Sequence, residues 1–165
     1  MIISPDSMLY NEHGEYVWTP ARVKEAWERA WFIYRQHLES GEILDVVALC
    51  GIPGAGKSTA AKVIDNPQRI VFDATFINAW RRARLFDGHT IPVKAAWIRT
   101  PHSIARKRNE ERSFDRRVPQ AHFERMLADF EPPMTTEGFL EVYYVNQDGL
   151  ALCYPGGGQI HLNDI

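Results

Sequence analysis

Apolar and polar positions along this chain change period twice, and each change marks a different kind of element. Val23, Trp27, Trp31, Tyr34 and Leu38 recur at three- and four-residue spacing, which is the repeat of one helix face. Thr19 offers a side-chain acceptor just before Pro20, whose fixed φ suits the first helical position, and Gly41 supplies a stop. The spacing therefore predicts a helix from about 20 to 40, with the aromatic stripe as its packed face. Before it, Met8 to Trp18 carries two short apolar and aromatic runs around Asn11-Glu12-His13-Gly14, the pattern of a small hairpin.

From residue 43 onward short apolar runs alternate with helix-like stretches. Leu44 to Cys50 reads as a buried strand, Lys57 to Ile64 as a helix, Arg69 to Phe72 as a strand and Asn78 to Phe86 as a helix ended by Gly88. Val93 to Ile98 is the next strand, Pro101 to Arg112 the next helix, and Pro119 opens another that Pro132-Pro133 breaks. Phe139 to Val145 closes the series, pairing through a turn at Asp148-Gly149 with Leu150 to Tyr154. Strand, helix, strand in this rhythm predicts a mainly parallel sheet with helices on both faces. Gly156-Gly157-Gly158 predicts a loose surface tail.

Composition narrows the class. The 165 residues are 45% hydrophobic and 24% charged, enough apolar material for one core, which excludes collagen-like, coiled-coil and disordered chains. The net charge of -2 means that a polyanion partner must be met by a local basic patch. Cys50 and Cys153 lack metal-ligand spacing and are not expected to pair; Cys50, inside an apolar run, reads as a small buried hydrophobe. The six histidines are scattered and form no metal constellation. Neither a secretory pattern at Met1 to Asp6 nor an apolar run of membrane-spanning length occurs, so a reducing cytoplasm is the expected location, with no membrane and no obligate protein partner.

One segment carries explicit chemistry. Gly51-Ile52-Pro53-Gly54-Ala55-Gly56-Lys57-Ser58 matches G-x-x-x-x-G-K-[ST], and it lies between a predicted strand and a predicted helix. Glycines let backbone N–H groups curl round phosphate oxygens, and the helix N-terminus adds partial positive charge. Lys57 is expected on the β and γ phosphates of ATP, Ser58 on Mg²⁺, and Gly51, Pro53 to Gly56 and Thr59 complete the nucleotide cradle. No guanine-reading Asn-Lys-x-Asp follows, and Asp73-Ala74 stands where many motors carry Asp-Glu, which lowers the hydrolase reading. Arg106 to Arg117 places six basic and three acidic residues in twelve positions, with Arg108 and Arg112 as i, i+4 neighbours. Such a stretch is either a solvated helix face or a lid whose arginines fold over the phosphates; beside the P-loop the lid is the stronger reading.

Together these residues resemble the P-loop polynucleotide 5′-hydroxyl kinases. The similar segments are Gly51 to Thr59, Phe72-Asp73-Ala74-Thr75 with Asn78 and Arg81-Arg82, Arg106 to Arg112, Val118-Pro119, and Phe130-Glu131-Pro132-Pro133 through Glu137-Gly138-Phe139. The resemblance covers about residues 43 to 145. It implies Mg²⁺-dependent transfer of the ATP γ-phosphate to a nucleic acid 5′-OH, with Arg106 and Arg112 clamping donor phosphates and Arg81 and Arg82 on the acceptor side. In that family an Asn-x-Asp-type strand end usually precedes the Asp-x-Thr strand and supplies the base. Here only Ala60 to Arg69 separates the P-loop from Phe72-Asp73, so the segment reads as lost or merged. Asp73 then stands as the one obvious carboxylate, open to three roles: general base, support of Mg²⁺ with Ser58, or helix cap. Trp80 is open to two, stacking on an acceptor base or packing in its helix, and packing is favoured.

The expected architecture is a three-layer α/β P-loop NTPase/kinase fold in one domain. It has a core at 43–145, a helical lid, an accessory N-terminal hairpin and helix at 1–42, and a C-terminal hairpin and tail at 146–165. Rival readings are a P-loop kinase of a small metabolite or nucleoside, and a nucleotide-binding regulatory or toxin-like module with little turnover.

Overall fold

The computed structural model describes residues 1–146, 159–162 and 165, together with the backbone of 150–154. All strands join one sheet in the order β1-β3-β2-β4-β5-β6-β7. These are β1 (Ile2–Ile3), β2 (Asp45–Cys50), β3 (Arg69–Asp73), β4 (Val93–Ile98), β5 (Val142–Val145), β6 (Leu150–Tyr154) and β7 (Gln159–His161). The first five in sheet order are parallel, and β6 and β7 add antiparallel at one edge. The fold is a three-layer α/β P-loop kinase type, as the alternating pattern predicts.

Both faces of the sheet are buried, which is why its strands read as near-continuous apolar runs. Val46, Ala48 and Cys50 of β2 face one core with Ile70 and Phe72 of β3, covered by α1 (Pro20–Glu39) through Ala30, Trp31 and Tyr34. Val47 and Leu49 face the other, covered by α2 (Lys57–Ile64), α4 (His102–Glu110) and α5 (Gln120–Ala128) through Ala60, Ile64, Ala105 and Phe123. The aromatic stripe of α1 is therefore core. Trp31 lies 4.8 Å from Phe72 between ring centroids, and the buried Tyr34 hydroxyl is satisfied by donating to the Leu85 carbonyl at 2.8 Å. Thr19 caps α1 by accepting from the Arg22 N–H.

Several expectations shift. Residues 1–42 are built into the fold. Strand β1, which no periodicity announces because it is two residues long, pairs in parallel with β3 through Ile2 against Val71 and Ile3 against Phe72. The hairpin before α1 reduces to a single bridge between Tyr10 and Tyr16, preceded by a 3₁₀ turn over Pro5–Leu9. The predicted helix 78–86 splits into α3 (Ala79–Arg82) and a 3₁₀ turn over Ala83–Phe86. The loose tail is corrected in part: beyond the glycines, Gln159–His161 pairs with β6, and Leu162 and Ile165 are buried. The glycines themselves and the Asp148-Gly149 turn lie outside the described residues. Cys50 is a buried free thiol. Among the described residues no helix is long and apolar enough to cross a membrane.

Candidate functional site

The P-loop leaves β2 and enters α2, so Gly51 to Gly56 lies at the carboxyl end of the sheet, where open α/β folds keep their sites. Two of its glycines are required by geometry. Gly54 has φ +78°, and a Cβ there would collide with the Ala105 carbonyl of α4; Gly56 caps α2 at φ +104°. The loop is braced from outside as well. The Thr100 hydroxyl donates to the Ala55 carbonyl at 2.7 Å, and an Arg108 Nη reaches the same oxygen at 3.5 Å.

Lys57 is folded back over its own loop, its ammonium donating to the carbonyls of Gly51 (2.9 Å) and Ile52 (3.0 Å). Burial lowers its pKa, opposed by the carboxylates of Asp73 and Asp6. The Ser58 hydroxyl donates to Asp73 Oδ2 at 2.6 Å, and Asp73 itself, at the end of β3, is only 7% exposed. A hydroxyl and a carboxylate in contact beside a phosphate cradle fit Mg²⁺, which takes oxygen ligands and commonly keeps only one or two from protein. Among the described residues no group of three His, Cys, Asp or Glu side chains stands ready to hold an ion without phosphate.

The loop floors a cleft of about 840 Å³. Three further walls enclose it. Asp6 enters from the turn that follows β1, Tyr16 and Trp18 from the bridge segment, and Arg116 and Arg117 from the loop after α4. Because β1 lies beside β3, its continuation Ser4-Pro5-Asp6 brings a second carboxylate to the same sheet edge as Asp73. Asp6 keeps solvent exposure at the rim, yet partial desolvation within the cleft raises its pKa, opposed by Lys57 and reinforced by Asp73, with Arg112 and Arg116 also lowering it. The neighbouring Tyr16 hydroxyl is pushed up to about 12 by burial and by the charge of Asp6. Asp73 is thus not the sole carboxylate of the site. Asp6 reaches the cleft from the first six residues, ahead of the P-loop in the chain, where chain order hid it.

The basic stretch divides between faces. Arg108, on α4, and Arg112, in the loop just beyond its end, line the cleft, whereas Arg106 does not. Two residues from Arg108 is about 200° of helix, which turns Arg106 toward α5, where it pairs with Glu124 at 2.7 Å and lies over the Phe123 ring. Of the expected pair Arg106 and Arg112, only Arg112 lines the cleft, and Arg108 lines it in place of Arg106.

Neither acceptor-side arginine enters the cleft. Arg82 is fully buried, and its guanidinium grips both Glu137 oxygens at 2.7 and 2.8 Å and the carbonyls of Phe76, Glu131 and Pro132. With its donors committed to the fold, it has none for a substrate. Arg81 lies 5.3 Å over the ring of Trp80, and Trp80 is 71% exposed, so the helix packing favoured for it is not found.

A protein-family model described as an AAA domain matches residues 60–133, under half of the chain, starting directly after the phosphate-binding loop. It supports a kinase of the P-loop NTPase-like superfamily and names no acceptor. No match is found among curated proteins.

Proposed function

We propose that the protein transfers the γ-phosphoryl group of ATP to a hydroxyl, with the 5′-OH of a polynucleotide as the acceptor. The observation that carries the transfer reading is the pairing of roles across one cleft: Lys57 and the Ser58–Asp73 contact on the donor side, and Asp6 facing them. Asp73, held by Ser58, is the support of the metal. Asp6, aimed into the cleft without that bond, is the general base. Bound Mg²⁺ would supply charge neutralisation on the phosphates.

The chain's own residues do the rest. Lys57 exchanges the Gly51 and Ile52 carbonyls for phosphate oxygens. Arg108 and Arg112 neutralise charge that grows as the phosphoryl group leaves, where a preorganised guanidinium contributes most. Asp6 takes the acceptor hydroxyl proton onto a carboxylate oxygen, and its raised pKa brings its basicity closer to that task. Support for a polyanionic acceptor comes from the cleft lining, which sets Lys57, Arg108, Arg112, Arg116 and Arg117 against Asp6, Asp73 and Asp115. A net excess of cations there answers the local requirement that the overall charge of -2 imposes.

A second reading, transfer to a small hydroxylated metabolite or nucleoside, is favoured by one observation. Tyr16 and Trp18 wall the cleft beside Asp6 while Arg81 and Arg82 stay outside it, which suits a compact acceptor. Incubation with Mg²⁺ and γ-labelled ATP, offering 5′-OH DNA and RNA oligomers beside nucleosides and sugars, decides between the two. Label on oligomers supports the first reading, and label only on small molecules overturns it. ATP turnover or binding without transfer to any acceptor overturns both.

A further inference from the structure

The arginine-bearing loop is tied at its neck by one buried side chain. Asn109, near the end of α4, is 4% exposed, and its amide meets the backbone of Val118 twice. Nδ2 donates to the Val118 carbonyl at 2.8 Å, and Oδ1 accepts from the Val118 N–H at 3.0 Å. An amide side chain here does what a neighbouring strand would do, satisfying both backbone groups of one residue.

Past the end of α4 run residues 111–117, which are otherwise held by local bonds such as Arg117 donating to the Arg112 carbonyl and by Arg116 lying 6.0 Å over the Tyr10 ring. Their only regular structure is a 3₁₀ turn over Phe114–Arg116, and Phe114, the one large apolar side chain, is 91% exposed. Yet this loop delivers Arg112 and Arg116 to the cleft. On the other side of the neck, α4 is seated on the P-loop through the close approach of Ala105 to Gly54 and through Arg108 at the Ala55 carbonyl. The position of the phosphate cradle thus passes along α4 to Asn109, and from Asn109 to the loop. Packing alone does not ask for an amide at this place, since leucine has similar volume.

We infer that Asn109 is a positioning residue: its paired bonds to Val118 set where Arg112 and Arg116 stand over the transferring phosphoryl group. The inference rests on the transfer reading above. A displacement of about 1 Å at such groups is enough to cost roughly 10²-fold in rate.

Asn109→Leu removes both bonds at similar volume, and Asn109→Asp keeps an acceptor for the Val118 N–H while repelling its carbonyl. Trypsin cleavage after Arg112, Arg116 and Arg117 is measured under conditions where circular dichroism shows each protein folded. Cleavage should quicken about tenfold or more in the leucine variant and by less in the aspartate variant, which also stands in should leucine not fold. The kcat for transfer should fall about 10- to 100-fold while the KM for ATP stays within about threefold. In an Arg112→Ala/Arg116→Ala background the further loss should be under about threefold, because both residues being positioned are already gone. Unchanged cleavage overturns the clasp. Faster cleavage with unchanged kcat, or losses that multiply with the Arg112→Ala/Arg116→Ala pair, overturns the positioning role. Failure of the wild type to label any acceptor overturns the transfer reading and the positioning role with it, and cleavage then judges the clasp alone.

Discussion

The donor side and the acceptor side of the cleft are built in opposite ways. The donor side comes from one contiguous run, Gly51 to Thr59, whose residue types and spacing are dictated by the phosphate they surround. The side proposed to face the acceptor gathers Asp6, Tyr16 and Trp18 from before α1 and Thr75 from after β3. A contiguous site survives as a motif, because one local conformation holds it. A gathered site exists only once the sheet order places β1 against β3. The same contrast predicts how the two sides fail. Changes on the donor side should affect every use of ATP, and changes on the acceptor side should affect transfer alone.

Asp6→Asn should separate the sides most sharply. It retains the shape of the side chain and removes its basicity, so kcat for transfer should fall by about 10² to 10⁴ while ATP binding holds. In the wild type the acid limb of kcat/KM should be shifted upward from the ordinary aspartate value, because Asp6 must be ionised to work and partial desolvation in the cleft raises its pKa. That limb should vanish in the variant. The sign for stability is the reverse. A raised folded-state pKa favours the protonated folded protein, a gain present at low pH and lost as pH rises through that pKa. Asp6→Asn should therefore be at least as stable as wild type at pH 7 by thermal melt. Normal transfer by this variant would return the base to Asp73.

Arg82→Leu tests a residue that resemblance put on the acceptor side and the structure puts in the scaffold. Removing a buried guanidinium leaves the Glu137 carboxylate and three carbonyls without their donor, at a cost of about 3–5 kcal/mol in stability by denaturant melt. At temperatures where the variant is folded, its KM for the acceptor should be close to wild type. A stable variant with a weakened acceptor KM would restore the substrate role.

Lys57→Ala acts on the other side. Loss of such a preorganised charge costs on the order of 3 kcal/mol of barrier or more, and it should depress transfer and any residual ATP hydrolysis together. Circular dichroism should show the fold intact, since Lys57 bonds only to its own loop carbonyls. Hydrolysis that persists while transfer is lost would place this residue on the acceptor side of the comparison.

What could be read from the chain follows the same division. Periodicity located α2 and β4 at the bounds observed, because an eight-residue helix and a six-residue strand each repeat their burial often enough to show it. Strand β1 has two residues and repeats nothing, so Asp6 was invisible although Ser4-Pro5-Asp6 follows an apolar pair. Arg82 and Arg81 are adjacent and alike in sequence. Only the tertiary position of Glu137, 55 residues on, makes one of them a buried hub.

The smallest expected effect distinguishes two arginines of one basic stretch. Arg106→Ala removes an ion pair with Glu124 whose partners are both more than a third exposed, an interaction worth little once solvent screens it. Its kcat should stay within about threefold of wild type. Arg112→Ala removes a cation from the cleft, and kcat should fall about tenfold or more with less change in ATP affinity, since the charge is used most as the phosphoryl group leaves. Lysine at 112 should restore part of the loss, because it returns the charge without the planar fork. Equal losses for the two alanine variants would mean that Arg106 leaves Glu124 and turns into the cleft during turnover. No loss in either would leave the transition-state charge to Lys57 and Arg108.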